Sequence, residues 1–500
     1  MNDSNRQSDE TSNVGPAMGQ SHAAALSIIF GIMLAMFLSA LEQTIVAPAL
    51  PTMGRVLGDV ENLSWVVTAY LISATVATPL FGKLSDIYGR RRMMLISIGI
   101  FIAGSLGCAV APTVPLLIAG RALQGLGGGG LLPLAQTVIA DLLSPRERPI
   151  VQGYSSTMFM AASIIGPVLG GFFTDHLHWS LIFWINLPLG VAALVMTDRA
   201  LRRLPRNDRP HRLDLVGAAA MVAATVVLLL ALSWGGIRYP WISLPIGFLF
   251  GASALLWIGF WWRLIRAPEP FIPLSVLREP VICGIVIAGF FSIGTIIGLS
   301  IFIPLYIELV LGLSASASGI VLIGFMGGAT LGSLLAGRLI VRVQHYKRVP
   351  VYAAPLAVVV LVLLAIWPSG WSLVAVTAFM TLAGIGMGPM YPTTTVIVQN
   401  AVLPHQFGIA TGTLNFFRSL GGAIIVAAFA AIVLSGLDVA VPGGTLDKMA
   451  NAGASASELA QKFRLVFVAA AFFLGLACIA VAVIEERPLG GPYVRAREPE

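Results

Sequence analysis

Long apolar runs alternate with short polar segments along almost the whole chain, and this alternation limits the fold more than any other feature. Of the 500 residues, 57% are hydrophobic and only 11% are charged. That is too little charge for the surface of a soluble protein of this size. An apolar run of about 18 residues or more predicts a helix that crosses the membrane. The sequence therefore predicts an all-α integral membrane protein.

The apolar runs predict 14 transmembrane spans. They lie at 24–48, 64–82, 93–111, 115–141, 150–173, 180–198, 213–233, 241–263, 281–307, 316–339, 349–367, 372–400, 407–433 and 464–485. An even number of spans places both termini on the same side of the membrane.

The positive charges support this count, because loops rich in Lys and Arg stay in the cytoplasm. Residues 82–92 carry four cations between two apolar runs, which predicts a short cytoplasmic loop. Assigning alternate loops to the cytoplasm places most of the 30 Lys and Arg residues there. The opposite side receives only Arg55, Arg238, Lys448, Lys462 and Arg464. Both termini are therefore expected to be cytoplasmic.

Recurring patterns predict a duplicated structure. The basic segment 82–92 has a weaker counterpart at 337–348, and the glycine pattern at 123–133 has one at 383–392. Transporters are commonly built from such paired halves, with the substrate site between them near the membrane midplane. We predict two pseudo-symmetric six-helix bundles plus two inserted helices. The predicted domains are an N-terminal bundle (24–198), the inserted helices (213–263, or 213–339 if spans 7–10 are grouped) and the remaining spans with the C-terminal bundle (281–485).

Polar segments flank and connect these domains. We predict a disordered cytoplasmic tail at 1–23, a basic cytoplasmic linker at 199–212 and a second cytoplasmic tail at 486–500. The long outer loop at 434–463 has two interpretations. It is either a solvated linker or an exit-side hairpin that guides or shields a lipophilic substrate.

Glu42 is the clear exception among the acidic residues, most of which lie in tails, loops or span ends. It lies about 18 residues, or about 27 Å of helix, into the first span. A carboxyl group there must be desolvated, paired or protonated. A group that alternates between neutral and charged forms can couple transport to protons. Two interpretations stay open: Glu42 binds a proton or a cationic substrate, or it is a structural partner of Arg121.

Arg121 and Arg418 are the two cations inside predicted spans. Arginine keeps its proton, so a buried guanidinium must find partners. Arg121 opens the segment 121–130, whose glycines allow a neighbouring helix to approach closely. Because no strand precedes it, this segment is not a phosphate-binding loop. Arg418 is either a charge in the substrate cavity or a structural, snorkelling side chain.

Several classes of function are disfavoured. The cations lie in loops rather than on one basic face, which argues against nucleic-acid binding. The three cysteines stand singly in apolar runs, so we expect no disulfide, no metal site and no cofactor. The G-x-x-x-x-G-K-[ST] loop of a primary pump is absent from the sequence. Histidines and acids form no cluster at one depth, so we do not expect an enzyme.

Together these motifs resemble the major facilitator superfamily, specifically its fourteen-span drug–proton antiporter branch of the multidrug and quaternary-ammonium exporter type. Residues 82–92 match the G-x-L-a-D-r-x-G-R-r-r loop, and 121–127 match the R-x-x-Q-G-x-G motif. Residues 41–51 resemble the first-span pattern, with Glu42 in place of the usual aspartate. Further matches, to the fifth-span G-P-x-x-G-G motif and a typical sixth span, lie at 162–171 and 184–188.

The resemblance implies roles for individual residues. Glu42 would be the acid that alternates between proton-bound and charged forms, and Arg121 would stabilise the region around it. A cytoplasmic charge relay would hold the halves together on the inner side in the outward-facing state; its members would be Asp86, Arg90 and Asp141. The antiporter motif would shape the pivot of the interface between the halves; its members are Gly166, Pro167, Gly170 and Gly171.

The resulting prediction is a proton-coupled antiporter of the cell (inner or plasma) membrane that exports hydrophobic compounds such as drugs and dyes by alternating access. The near absence of acids from spans 9–14 favours neutral or monocationic compounds over dications. The expected partners are a small hydrophobic substrate, protons and the lipid bilayer, with the protein as a monomer. The alternative is a lipid or glycolipid exporter of the same fold. A sugar or metabolite symporter is disfavoured, because the fifth-span motif marks exporters.

Overall fold

The computed structural model describes residues 22–59, 62–202, 213–236, 238–343, 345–435 and 456–489. Four predicted segments lie mainly outside these residues. They are the tails at 1–23 and 486–500, the linker at 199–212 and the outer loop at 434–463. Their proposed roles stay predictions.

The described residues fold into α-helices joined by short connections. Apolar segments form helices because a backbone surrounded by hydrocarbon must satisfy its hydrogen bonds internally. In chain order they are α1 (His22–Ile45), α2 (Leu50–Leu57), α3 (Ser64–Tyr88), α4 (Arg90–Ala109), α5 (Val114–Leu142), α6 (Arg148–His176), α7 (Leu181–Trp184), α8 (Asn186–Leu201), α9 (Leu215–Trp234), α10 (Leu244–Arg266), α11 (Leu274–Leu277), α12 (Pro280–Leu309), α13 (Ala315–Arg342), α14 (Arg348–Ile366), α15 (Leu373–Met387), α16 (Met390–Asn400), α17 (Phe407–Leu434) and α18 (Ala456–Val483).

Thirteen helices among the described residues are long and apolar enough to cross a membrane. The chain is therefore a multi-pass membrane protein. Helix α5 coincides with the predicted fourth span but is not among the thirteen, because its many glycines and Arg121 make it less apolar. It has 29 residues, or about 44 Å of helix, which exceeds the hydrocarbon thickness of about 30 Å. The total of fourteen spans stays a prediction.

Two predicted spans differ from the structure in detail. The span predicted at 372–400 is divided at residues 388–389 into α15 and α16, where Pro389 cannot donate a helical hydrogen bond. The last helix begins at Ala456 rather than at 464. Lys462 and Arg464 interrupt the apolar pattern in its first turns without interrupting the helix.

The connection predicted at 82–92 lies within this segment but is much shorter than the predicted loop. Helix α3 continues through this segment to Tyr88, and α4 begins at Arg90. Gly89 alone joins them, with a φ of 88°. Glycine adopts this left-handed conformation without steric cost, so the chain reverses within one residue. We call the end of the molecule that carries Arg90 the basic end.

Glycines allow α5 to pack between α3 and α4. A Cβ atom on Gly125 would collide with the backbone of Tyr70 in α3, and one on Gly129 would collide with Ala74. A Cβ atom on Gly127 would collide with the backbone of Phe101 in α4. The glycine-rich segment is therefore a packing surface, as expected for close helix contacts in membranes.

We expect Gly127→Val to reduce the yield of folded protein sharply and to lower its melting temperature. Overpacking costs about 1–3 kcal/mol or more, and here the obstacle is backbone, which cannot rotate away. Gly99→Val on α4 is the matched control, because no atom lies within 4 Å of a Cβ built there. Size-exclusion profiles and thermal unfolding of both variants test the packing; equal behaviour of the two would contradict it.

The helices before residue 202 meet those after residue 280 mainly along two helix pairs, which together we call the seam. Helix α3 packs along α17, and α6 packs along α13. In the second contact the hydroxyl oxygens of Ser156 and Ser333 lie 2.7 Å apart. Helix α9 packs on α10 and also contacts both α3 and α17. The pair α9–α10 therefore lies beside the α3–α17 part of the seam.

Candidate functional site

Glu42 lies near the end of α1 and is fully buried. One carboxylate oxygen forms an ion pair with Nη1 of Arg121 on α5. The other accepts a hydrogen bond of 2.5 Å from Nδ2 of Asn186, the first residue of α8. The two residues that the sequence leaves as possible partners are thus in direct contact.

Arg121 is held by further neutral groups. Its Nε donates to the carbonyl oxygen of Val66 at 2.9 Å, and its Nη1 donates to Oε1 of Gln124 at 2.7 Å. The guanidinium carbon lies 4.3 Å from the centre of the Tyr70 ring, which is a cation–π distance. When Glu42 is neutral, Arg121 therefore still has acceptors and an aromatic face around it.

Asn186 is a member of this site that sequence reasoning missed. Its Oδ1 atom is buried and has no hydrogen-bond partner in the described part of the chain. Asn186 is a single amide inside the apolar run 180–198. A lone amide in a span needs a polar partner, so its position could have indicated the site. The Glu42 carboxylate thus links α1 to α5 and to α8.

Asp86, Arg90 and Asp141 form a second cluster at the basic end. Arg90 forms ion pairs with Asp86 and, at 2.9 Å, with Asp141. The Asp86 carboxylate also accepts hydrogen bonds from the backbone amides of Gly408, at 3.0 Å, and Ile409, at 2.7 Å. These amides belong to the first turn of α17, where free N–H groups and the helix dipole attract an anion. The cluster therefore ties α3, α4 and α5 to α17 across the seam.

The glycines of the antiporter motif lie close to the first site. A Cβ atom on Gly166 would collide with Thr44, and one on Gly170 would collide with Ile45, and both residues lie within one turn of Glu42. Pro167 is exposed, and nothing lies within 4 Å of a Cβ on Gly171. Gly166 and Gly170 thus hold α6 against α1 rather than against α13. Their predicted role in the pivot of the interface between the halves stays a prediction.

Arg418 is buried on α17, with 3% of its surface exposed. It donates to the carbonyl oxygen of Tyr391 at 3.0 Å and to the hydroxyl oxygens of Thr394 at 2.5 Å and Thr395 at 3.0 Å. Its guanidinium carbon lies 4.6 Å from the Tyr391 ring centre. In the described part of the chain no carboxylate pairs with it. Unlike Arg121, this arginine is surrounded by neutral groups only.

Comparisons of this chain with known proteins all indicate the same family. A model described as the Major Facilitator Superfamily matches residues 32–426. Multidrug transporter protein MdtP of Bacillus subtilis (strain 168) is 34% identical over 406 residues, which cover 81% of this chain and 75% of that protein. Multidrug resistance protein 3 of the same organism is 32% identical over 410 residues, which cover 82% of this chain and 80% of that protein. The solved human organic anion transporter MFSD10 (TETRAN) superposes with a TM-score of 0.63 at 18% identity, covering 90% of this chain and 99% of that chain, which shows a shared fold alone.

Proposed function

Since the chain belongs to the major facilitator superfamily and its relatives include multidrug transporters, we propose that it exports hydrophobic compounds in exchange for protons. The observation that carries this proposal is the buried Glu42–Arg121 pair with Asn186 beside it. The substrates are neutral or monocationic lipophiles such as drugs and dyes. The protein works as a monomer in the cell membrane, as a transporter rather than an enzyme.

The proposal includes the predicted topology of fourteen spans, with α5 as the fourth and both termini in the cytoplasm. The halves are residues 24–198 and 281–485, with the inserted helices at 213–263. The division into two halves is supported by the hydrophobic core, because most buried apolar side chains cluster either within 32–201 or within 276–484. In this topology the basic end is cytoplasmic, and the contact of Asp86 with α17 closes the cytoplasmic side.

A proton arriving from the outside neutralises Glu42 and breaks its ion pair. Arg121 then keeps Gln124, Val66 and Tyr70 as partners. Protonated Glu42 becomes a hydrogen-bond donor, and a rotation of the Asn186 amide presents the free Oδ1 atom as its acceptor. Loss of the charge–charge attraction between α1 and α5 favours the inward-facing state, in which substrate binds and the proton leaves.

Asn186→Leu is expected to destabilise the protein and to slow proton-driven export by about tenfold. The change removes a donor to a buried carboxylate, and such a loss costs about 1–3 kcal/mol. Thermal unfolding and dye export from proteoliposomes measure the two effects. Thr197→Val, on the same helix at another buried site, is the control. Export at the wild-type rate by Asn186→Leu would contradict the assigned role.

The proposal is tested in cells that lack their own exporters, with fluorescent dyes and growth inhibitors of different charge. Expression of this protein is expected to lower dye accumulation and to raise resistance. A protonophore should abolish both effects, because the driving force is the proton gradient. Export that continues when the gradient is collapsed would contradict proton coupling.

A lipid or glycolipid exporter is the competing proposal, favoured by the length of the outer loop. Deletion of residues 440–455, which leaves α18 whole, distinguishes the two. A drug exporter should keep its dye transport without this segment, whereas a lipid exporter should lose its lipid transport.

A further inference from the structure

Arg418 is the buried charge for which the proposed proton cycle has no use. Its Nε atom is buried and has no acceptor in the described part of the chain. The remaining contacts of the guanidinium go to a carbonyl, two hydroxyls and the Asn415 amide. A guanidinium cannot become neutral in a protein. This position therefore keeps a positive charge that its neighbours solvate but do not neutralise.

The sequence offers little that could neutralise this charge from the same half. Between residues 280 and 434 the only acid is Glu308. Glu308 is exposed near the end of α12, and its carboxylate accepts a hydrogen bond of 2.8 Å from Ser318. In the other half, Glu42 is already paired with Arg121. Arg418 thus has no carboxylate partner among the described residues, and a buried charge without a counterion is costly.

Arg418 also lies near the middle of α17, the helix that packs along α3 of the other half. It lies about 17 Å along the helix axis from the first residue of α17, which is close to half of the hydrocarbon thickness of about 30 Å. Its neighbours reach the other half: Asn415 donates to Oε1 of Gln136 at 2.6 Å, and Nε2 of Gln136 donates to the Tyr391 hydroxyl at 2.8 Å. Gln136 belongs to α5. Opening of the seam would therefore uncover the guanidinium at mid-depth.

The unpaired Nε atom faces a glycine. A Cβ atom built on Gly289 of α12 would lie 3.5 Å from this Nε atom. With no side chain at Gly289, the free donor edge of the guanidinium is not covered by an apolar group from α12. A guanidinium binds a carboxylate through two parallel hydrogen bonds, and Nε is one of the donors used in that geometry.

We propose that Arg418 binds the acidic group of hydrophobic monoanions, so that lipophilic carboxylates are substrates of this exporter. The inference rests on the proposed function and refines its substrate class. This inference changes the charge class given under the proposed function: neutral compounds stay within it, monoanions are added, and the uncompensated cation disfavours the monocations. The apolar body of the substrate occupies the space between the halves, and its carboxylate supplies the missing counterion.

Three probes with the same aromatic body test the proposal: pyrenebutyrate, its neutral amide and pyrenebutyl-trimethylammonium. Their binding to the purified full-length protein is measured by pyrene fluorescence. The wild type is expected to bind the carboxylate about tenfold more tightly than the amide, as charged hydrogen bonds permit, and the ammonium probe most weakly. Equal affinities, or tightest binding of the ammonium probe, would overturn the proposal without any variant.

Arg418→Gln is expected to weaken pyrenebutyrate binding about tenfold and amide binding less than about twofold. Arg418→Lys keeps the charge and should retain part of the preference. An equal loss for all three probes would mean a purely structural role and would reject the proposal. Transport of the amide tests the proposed export function separately from the binding preference. If the wild-type protein in proteoliposomes does not export the amide, the proposed function fails. The preference for the carboxylate is judged from the binding measurements alone.

Discussion

Glu42→Gln is expected to abolish the accumulation of substrate against its gradient while leaving the protein folded. Glutamine has nearly the same shape and keeps a carbonyl oxygen for Arg121 and Asn186, but it cannot bind or release a proton. A pH difference of one unit is worth ~1.4 kcal/mol, or tenfold accumulation per proton exchanged. The variant should show no accumulation driven by the pH difference, so that the concentrations of the compound on the two sides of the membrane become equal. Dye flux in proteoliposomes with an imposed pH gradient measures it.

The matched control for this experiment is Glu308→Gln, which removes an exposed acid of another span. Its flux should equal that of the wild type. Thermal unfolding of Glu42→Gln must be measured as well, because Arg121 loses its only carboxylate among the described residues. A folded Glu42→Gln variant that still accumulates dye in response to the pH gradient would refute the assignment of Glu42.

Asp86→Asn is expected to reduce the export rate by tenfold or more, because it weakens the contact between the halves. The Asp86 carboxylate binds Arg90 and two backbone amides of α17 at once. Hydrogen bonds to a charged group contribute about 1.5–3 kcal/mol, so the closed arrangement of the basic end loses a large part of its stability. Initial rates of dye export and accessibility of a cysteine introduced at the basic end would report the change.

Asp198→Asn is the control for this second prediction. Asp198 also pairs with two arginines at the basic end, Arg91 at 2.5 Å and Arg202 at 2.8 Å. Arg91 lies on α4, Asp198 lies on α8 and Arg202 directly follows α8, so these ion pairs do not cross the seam. We therefore expect nearly normal export from Asp198→Asn. Equal impairment of both variants would indicate a general loss of stability rather than a role in joining the halves.

The sequence predicts much of the fold, because membrane helices are encoded by local composition. The predicted eighth span at 241–263 corresponds to α10 (Leu244–Arg266), and the ninth at 281–307 corresponds to α12 (Pro280–Leu309). The same local reasoning overestimated the length of the connection at 82–92. Four cations there indicated a longer loop, whereas Asp141 and Asp198 from other helices pair with Arg90 and Arg91 in the first turn of α4.

The charged residues of the site could be predicted, because each lies inside an apolar run. The neutral residues that contact them could not. Glu42 and Arg121 stand out because hydrocarbon excludes unpaired charge. Asn186 and Tyr391 carry no such signal, since amides and tyrosines are common at span ends and in packed interfaces. The position of Gly166 against α1 also depends on how helices pack. Neither composition nor spacing encodes that three-dimensional arrangement.

Simultaneous measurement of substrate and proton movement tests the central claim most directly. The purified protein is placed in proteoliposomes with a pH-sensitive dye enclosed, and a neutral hydrophobic compound is allowed to flow down its own gradient. Proton-coupled export through Glu42 predicts that protons move in the opposite direction, in step with the compound, and that Glu42→Gln stops the proton flux. Compound movement with no change of internal pH, or with protons moving in the same direction, would contradict it.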